Sequence, residues 1–328
     1  MIPLIMKTVS RLLLLIAILV QTTFAKNERN VILVTMDGVR WDEIFKGSDP
    51  TYSHAPSENL IPNLTGPLSK EGVLLGDELT STVSVENQTN ISLPGYQNIF
   101  LGRPTSCESN WCLRVCKDTI TDELRKKLNL KKKEIAAFTS WGRIRRAWAN
   151  HPLFTTRNFG LTPFLSSDPF YAQNNEAQRT DLPPWGFPGL PIARFDKYTY
   201  AAGYHYLTTQ KPRFMYIGML DSDESAHASN YDWYMTSIRA LDTRIMEIVD
   251  FLKSNREYGD NTLLIVTTDH GRGEGDAWTS HGAAHPHSKK IWMYVRPPVG
   301  HSDFLSKIGT SLTHSDIRKI ISAWMLEE

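Results

Sequence analysis

The chain has 328 residues, of which 41% are hydrophobic and 22% are charged. This composition allows a sizeable buried core and argues against an intrinsically disordered protein. The 36 basic and 35 acidic residues give a formal net charge of +1. A nucleic-acid-binding domain usually shows a basic excess, so the charge argues against a stable nucleic-acid partner.

The N-terminus has the layout of a secretory signal peptide. A short basic stretch from Lys7 to Arg11 precedes an apolar run at residues 12–20, and Thr23 and Ala25 place small residues before a cleavage site. The run is too short for a comfortable membrane span, which needs roughly 20 residues. We expect residues 1–25 to be a signal peptide and the chain to be exported, either periplasmic or secreted, with no membrane span after signal removal. An uncleaved anchor is the alternative.

Strand-like and helix-like segments alternate after residue 25. Continuous apolar runs predict buried strands at residues 30–36, 134–139, 214–220, 262–268 and 291–295. Helices are predicted at residues 61–71 with a break at Gly66, and at 92–101, 121–130, 231–254 and 316–326. The order predicts an α/β fold, a mainly parallel central sheet with helices on both faces, in a single domain at residues 26–328. Residues 163–191 are expected to leave the sheet as an irregular excursion and possible lid.

Three cysteines, Cys107, Cys112 and Cys116, lie within ten residues of one another. Their spacing matches no standard zinc module. Export implies an oxidising compartment, in which disulfides persist. We therefore expect a local disulfide in a surface loop, with one cysteine left free or paired elsewhere.

Acidic residues follow three of the predicted strands. Asp37 comes after the first, Asp223 lies in an acidic run after the third, and Asp269 comes after the fourth. Parallel strands bring their carboxyl ends to one edge of the sheet, where α/β proteins place their active sites. Such a concentration of negative charge is unfavourable without a cation nearby, so the pattern predicts a metal site.

Histidines accompany two of these acids. His227 follows Asp223 by four residues, so that both side chains can point at one ion from a helical turn or a tight loop. His270 directly follows Asp269, and Gly271 permits the sharp turn that would bring both to the same or neighbouring ions. Each pair is therefore a candidate set of metal ligands.

One more histidine and one serine complete the pattern. His281 is preferred as a further ligand, with His285 as its substitute. Imidazole and carboxylate ligands together suit Zn²⁺, with Mn²⁺ as a second choice, and we expect two divalent metal ions. Ser92 begins a predicted helix, where a nearby cation favours its alkoxide. A serine in that place is more often a simple cap, and only the acid and histidine clusters make it a candidate nucleophile.

These motifs, in this order, resemble the alkaline phosphatase superfamily. The segment S-L-P-G-Y-Q-N-I-F-L-G, from Ser92 to Gly102, is most similar to the nucleotide pyrophosphatase/phosphodiesterase branch, and the phosphoglycerate mutase-like branch shares the same ligands. The resemblance implies two metal sites. One would be held by Asp223, His227 and His281, and the other by Asp37, Asp269 and His270, with Ser92 as an additional ligand.

The chain departs from that branch within the nucleophile helix. Ser92 replaces the usual threonine, which preserves the chemistry, and Gly95 and Tyr96 replace an asparagine and a histidine. The resemblance also implies an asparagine and a basic residue that contact the transferring group, for which Asn110 and Arg143 are the candidates. Sulfatases share the fold, but their C/S-x-P-x-R motif has arginine where this chain has Tyr96, which argues against sulfatase activity.

The resemblance therefore implies a metal-dependent hydrolase that cleaves a small-molecule phosphate ester, either a monoester or a diester. The reaction would pass through a phosphoseryl intermediate on Ser92. A transferase or mutase that moves a phosphoryl or phosphoethanolamine group on the same fold is the alternative. A non-catalytic binding protein is disfavoured because every expected ligand position is filled.

Overall fold

The computed structural model describes residues 29–181 and 193–327. The expected signal peptide, residues 1–25, lies outside the described residues, and so does the 182–191 part of the expected lid. Within the described ranges, no helix combines the length and the apolar character needed to cross a bilayer.

The core of the fold is a seven-stranded sheet in the order β2-β9-β7-β1-β6-β4-β5, beside a small sheet in the order β10-β3-β8. Strands β7, β1, β6, β4 and β5 run parallel to one another, and β9 and β2 add an antiparallel edge. The strands are β1 Asn30–Met36, β2 Val73–Leu75, β3 Thr82–Ser84, β4 Ile135–Thr139, β5 Thr156–Phe159, β6 Phe214–Met219, β7 Thr262–Thr267, β8 Lys290–Ile291, β9 Met293–Arg296 and β10 Ser311–Thr313.

Helices cover both faces of this sheet. The helices are α1 Trp41–Phe45, α2 Pro50–Ser53, α3 Pro62–Thr65, α4 Ser92–Leu101, α5 Ile120–Lys127, α6 Pro169–Thr180, α7 Asp196–Gln210, α8 Asp221–His227, α9 Tyr231–Ser254, α10 Arg256–Gly259 and α11 His314–Leu326. Successive residues of β1 enter different apolar clusters: Val31 belongs to a cluster that includes residues of α4, α5 and α11, whereas Ile32 belongs to one that includes residues of α7 and α9. A strand buried on both faces needs the continuous apolar sequence that β1 has. The predicted fold class is confirmed.

Two of the segments described from the sequence have a different structure from the one expected. Residues 163–181 are not wholly irregular, because α6 occupies most of them: Asp168 caps this helix by accepting a hydrogen bond from the N–H of Phe170 (3.0 Å), and Pro169 fits its first position. The predicted strand at 291–295 is divided at Trp292, with β8 in the small sheet and β9 in the main sheet. The suggested role of residues 163–191 as a lid stays a prediction.

The cysteine loop follows α4. A disulfide joins Cys107 and Cys112, and Cys116 is a free, exposed thiol. The loop is thus closed locally, as the spacing indicated, and Cys116 is the cysteine left without a partner in this chain.

Candidate metal centre

Three carboxylates meet at the carboxyl edge of the central strands. Asp37 directly follows β1, Asp269 lies just beyond β7, and Asp223 stands in the first turn of α8, which follows β6. Because β6, β1 and β7 are neighbours, their ends converge. Gly38 has φ +63°, and a Cβ on it would lie 2.5 Å from Oδ1 of Asp223, so this turn requires glycine.

Two histidines each have Nδ1 next to a backbone carbonyl oxygen and turn Nε2 toward these acids. Nδ1 of His270 lies 2.8 Å from the carbonyl oxygen of Gly271, and Nδ1 of His281 lies 2.9 Å from that of Asn90. A carbonyl only accepts hydrogen bonds, so in each neutral ring Nδ1 carries the proton and Nε2 has the free lone pair. Nε2 of His270 is 3.3 Å from Oδ1 of Asp37. This is the arrangement of a metal-binding imidazole held by its other nitrogen.

The candidate ligand atoms form two overlapping groups, with His270 common to both. One group contains Asp37, Asp269 and His270, and the other contains Asp223, His270 and His281; within each group the atoms lie within 4.8 Å of one another. The sharing of His270 differs from the division that the family resemblance implied, in which His270 served one metal.

His227 lies beside the second group. Its Nε2 is 3.3 Å from Oδ2 of Asp223 and 3.2 Å from Nε2 of His281. The negative charge of Asp223 raises the pKa of His227. The structure therefore brings all the proposed ligand residues into one site, while the assignment of each to a particular ion stays a prediction. His285, the proposed substitute, belongs to neither group.

The donor set fits a divalent cation. Oδ1 of Asp269 accepts a hydrogen bond from the N–H of Gly38 (3.0 Å). Oδ2 is buried, has no hydrogen-bond partner among the described residues, and lies 3.5 Å from Nε2 of His270. Burial and the neighbouring charge of Asp223 raise the pKa of Asp37, and burial and Asp37 raise the pKa of Asp269. Buried carboxylates beside imidazole lone pairs are stabilised when a cation binds between them.

The hydroxyl of Ser92 lies at this cluster. Ser92 is the first residue of α4, and its Oγ is 3.3 Å from Oδ1 of Asp37 and 3.2 Å from Nε2 of His270. A Cβ at Gly95 would lie 2.6 Å from the carbonyl oxygen of Asp269. Gly95, which departs from the motif of the resembled branch, thus lets α4 pack directly against the segment that follows β7.

Asn110 and Arg143 lie next to Ser92 but outside the ligand cluster. Oδ1 of Asn110 accepts a hydrogen bond from the N–H of Leu93 (2.9 Å), and the carbonyl oxygen of Asn110 accepts one from Nη1 of Arg143 (3.2 Å). The guanidinium of Arg143 lies 3.8 Å from the ring centroid of Trp111. These contacts hold the cysteine loop against the start of α4, and a contact of either residue with substrate stays a prediction.

Two side chains of the site were missed by the sequence reasoning. Arg272 is fully buried; it donates to the carbonyl oxygens of Gly38 (2.9 Å) and Asp223 (3.0 Å) and pairs with the carboxylate of Asp223. Burial acts to raise the pKa of Asp223, but Arg272 and His227 outweigh it and hold that pKa well below its usual range. Tyr96 donates its hydroxyl proton to Oδ2 of Asp37 (3.1 Å). The only sequence signal for Arg272 was its place directly after D-H-G.

The fold of this chain is similar to that of alkaline phosphatase, and the cluster at its sheet edge is a candidate metal centre. The family model described as Metalloenzyme superfamily matches residues 198–285, which contain five of the seven proposed ligands. The match and the fold confirm the predicted resemblance to the alkaline phosphatase superfamily.

Particular relatives agree with this class. Over 132 residues the chain is 31% identical to GPI ethanolamine phosphate transferase 1 of Mus musculus, a match that covers 37% of this chain and 14% of the mouse protein. Lipooligosaccharide phosphoethanolamine transferase A from Neisseria meningitidis, an integral membrane protein, has a similar fold (TM-score 0.57, 10% identity, 90% of this chain and 55% of that chain). A mutant alkaline phosphatase from the Antarctic bacterium TAB5, with Mg bound in its M3 site, also has a similar fold. Its TM-score is 0.52 at 15% identity, and the match covers 90% of this chain and 97% of that chain. At these identities the structural likeness shows the fold alone.

Proposed function

We propose that this chain is a metal-dependent hydrolase of phosphate esters that uses Ser92 as its nucleophile. The observation that carries the proposal is the position of Oγ of Ser92, 3.2 Å from Nε2 of His270 and 3.3 Å from Oδ1 of Asp37. A hydroxyl that faces an imidazole nitrogen and a buried carboxylate, at the start of a helix, is arranged for nucleophilic attack on phosphorus rather than for capping alone.

Two divalent metal ions are proposed as the cofactors. Zn²⁺ is the preferred metal, and Mn²⁺ is the second choice. Asp37, Asp269 and His270 would hold one, and Asp223 and His281 with His227 would hold the other. When bound, such ions would supply the positive charge that favours the serine alkoxide and the departing oxygen. The mixed nitrogen and oxygen donors support this choice of metal.

The reaction would proceed in two balanced steps on Ser92. In the first, Oγ forms a bond to phosphorus while the bond to the leaving alkoxide breaks, and the hydroxyl proton leaves with the alcohol. In the second, water forms a bond to phosphorus and the bond to Oγ breaks, which restores the serine and releases phosphate or a phosphate monoester. The N–H of Leu93 is already bonded to Asn110, so Asn110 fixes the helix start from which Ser92 attacks.

A second candidate function is transfer of a phosphoryl or phosphoethanolamine group to an alcohol acceptor. The observation that favours it is the mouse relative, a GPI ethanolamine phosphate transferase, at 31% identity over 132 residues. The first step on Ser92 would be the same, and an alcohol would replace water in the second. The chemistry at Ser92 is therefore common to both candidates, and the acceptor distinguishes them.

The substrate class can be tested with aryl phosphate monoesters, phosphate diesters, phosphonates and sulfates. Protein freed of metal with a chelator is assayed alone and after addition of Zn²⁺, Mn²⁺ or Mg²⁺. We expect turnover of at least one phosphate ester, its loss in the metal-free protein and its return with a divalent ion. Turnover that is unaffected by metal removal, or that is confined to sulfate esters, would contradict the proposal.

Product analysis separates hydrolase from transferase. The preferred ester is turned over in the presence of added ethanolamine, glycerol or another alcohol, and the phosphorus products are identified by NMR. A hydrolase yields free phosphate or monoester in an amount that the acceptor does not change. A new ester that grows with acceptor concentration at the expense of free phosphate would assign the chain to the transferases.

Export is proposed on the sequence of residues 1–25. A small-molecule phosphate ester outside the cytoplasm would then be the substrate. Expression of the full chain in a secreting host, followed by mass spectrometry of the N-terminus, tests this. We expect the mature protein to begin after Ala25 and to be recovered outside the cytoplasm; an intact N-terminus on cytoplasmic protein would contradict it.

A further inference from the structure

Residues 103–157 form a strongly basic segment of the chain. They include 13 lysines and arginines and five aspartates and glutamates, a net charge of +8, whereas the whole chain has a net charge of +1. Four of the five acids are engaged by basic side chains or by backbone N–H groups, namely Asp118, Asp122, Glu123 and Glu134. Most of the excess positive charge is therefore not neutralised within the segment.

A surface cavity of about 520 Å³ opens in this segment. Its size falls in the range of small-molecule sites. Three cations, Arg103, Arg114 and Lys117, line it with the polar side chains of Gln97 and Thr105. None of its lining residues in the described ranges carries a carboxylate. Within the part of the chain that the structure describes, none of the three cations is in an ion pair. The cavity thus offers positive charge without an internal counter-ion.

Two more arginines add to the charge near Arg114. Burial and the charges of Arg157 and Arg145 lower the pKa of the Arg114 guanidinium. Nη1 of Arg157 is buried and has no hydrogen-bond partner among the residues that the structure describes. Neighbouring cations destabilise one another unless an anion lies close to them. A bound anion would relieve this repulsion.

The cavity is lined by residues of α4, the helix that begins at Ser92, and by residues of the cysteine loop. Gln97 belongs to α4, five residues after Ser92, which is about 8 Å along the helix axis. Nε2 of Gln97 donates to the carbonyl oxygen of Leu113 (3.0 Å), and the disulfide between Cys107 and Cys112 closes the loop that forms the opposite wall. The cavity is therefore lined by the helix that begins at Ser92, about one and a half turns beyond that residue.

We propose that this cavity is an anion-binding site that holds a second phosphate-type group of the substrate while another phosphate of the same molecule reacts at Ser92. Arginine and lysine are the side chains best suited to bind phosphate. The guanidinium of arginine can donate two hydrogen bonds to it, and the ammonium of lysine attracts it as a point charge. Only the link to the substrate rests on the proposed function; the anion site itself does not. Free inorganic phosphate has the same chemistry and is the other source of the ligand.

Equilibrium binding of inorganic phosphate to the metal-free protein tests the site apart from catalysis, because the acids of the empty metal centre repel phosphate. Titration calorimetry compares the wild-type chain with a variant that combines Arg103→Gln, Arg114→Gln and Lys117→Gln. We expect the variant to bind phosphate about tenfold more weakly or worse, since three charge-assisted contacts are lost. All three side chains are exposed, so the fold should persist, as checked by circular dichroism.

A matched control removes the same charge elsewhere. Lys70→Gln, Lys132→Gln and Lys133→Gln change three exposed lysines that do not line the cavity. This variant should bind phosphate within about twofold of the wild type. The proposal of an anion-binding site would be overturned if the wild type did not bind phosphate, or if the cavity variant and the control variant bound it equally well.

Steady-state kinetics with metal present identify the source of the anion. The cavity variant is compared with the control on an aryl monophosphate and on a substrate with two separated phosphates. We expect the KM for the bisphosphate to rise about tenfold in the cavity variant, while its kcat stays unchanged. Both constants for the monophosphate should also stay unchanged. An unchanged KM with weaker inhibition by added phosphate would overturn the substrate assignment and assign the site to free phosphate.

Discussion

The buried guanidinium of Arg272 is paired with the carboxylate of Asp223. Arg272 also donates to the carbonyl oxygen of Gly38, so one side chain ties the turn after β1 to the start of α8. Arginine can do this because its fork of N–H donors reaches several acceptors in fixed directions. The pair holds a proposed metal ligand in place before any ion binds.

Replacement of Arg272 should weaken metal binding. In Arg272→Met the carboxylate of Asp223 loses its buried partner, and we expect a fall of about 10–100-fold in metal affinity, with a matching loss of turnover at limiting metal. Arg272→Lys keeps the charge but not the fork, so its loss should be smaller. The dissociation constant is measured by titrating metal-free protein, and KM and kcat are measured at saturating metal.

Control variants guard this test against misfolding. Removal of one partner from a buried pair costs about 3–5 kcal/mol, so melting temperatures are recorded for each variant. Arg256→Met, which breaks an exposed pair with Asp260, should leave metal affinity unchanged. If folded Arg272→Lys and Arg272→Met both bind metal as the wild type does, Arg272 does not position Asp223.

His314 should make stability depend on pH. Burial lowers the pKa of His314 to about 4, and its Nε2 lies 3.1 Å from the carbonyl oxygen of Thr268. The unfolded chain, with a histidine pKa of about 6.5, takes up this proton first as the pH falls. The contribution of His314 to folding is therefore present above about pH 6.5 and is lost between about 6.5 and 4, at most about 3 kcal/mol.

The variant His314→Gln isolates this contribution because glutamine can still donate to Thr268 but does not titrate. We expect urea unfolding of metal-free protein to show a shallower loss of stability between pH 6.5 and 4.5 than in the wild type. His54→Gln, at an exposed histidine, is the control and should follow the wild-type curve. Parallel curves for His314→Gln and wild type would refute the assignment.

The cysteine loop should present a single reactive thiol. Cys107 and Cys112 are joined and Cys116 is exposed, so a colorimetric thiol reagent should modify one cysteine per native chain and three after reduction in denaturant. Cys116→Ser should remove the native reaction altogether. Three reactive thiols in native protein purified under oxidising conditions would contradict the disulfide.

The strands and helices that present the proposed ligands could be predicted because their sequences are simple. β1 and β7 are continuous apolar runs followed by aspartate, and α4 and α9 have the predicted limits. In contrast, β5 has the sequence TRNF, which carries no apolar run, and its place in the sheet depends on pairing with β4. Helix α7 has buried positions but no clear apolar stripe, so periodicity does not reveal it.

In the site, too, the residues within short motifs could be predicted, whereas a residue whose position depends on contacts between distant segments could not. Aspartates and histidines in short motifs could be assigned from the sequence, since each motif lies within one turn. Arg272 could not, because a charged residue beside a motif usually lies at the surface, and its burial depends on three separate segments. The three cations of the anion-binding cavity lie before and after the disulfide between Cys107 and Cys112 in the sequence, and their convergence on one cavity was not predicted.

The most direct test of the account is the kcat of Ser92→Ala at saturating metal on the preferred phosphate ester. Ser92→Thr keeps a hydroxyl, and Ser237→Ala removes one from a buried serine of α9. We predict a loss of at least about 10³-fold for Ser92→Ala, partial activity for Ser92→Thr and wild-type activity for Ser237→Ala, with metal binding retained in all three. Wild-type turnover by folded, metal-loaded Ser92→Ala would contradict the central claim that Ser92 attacks phosphorus.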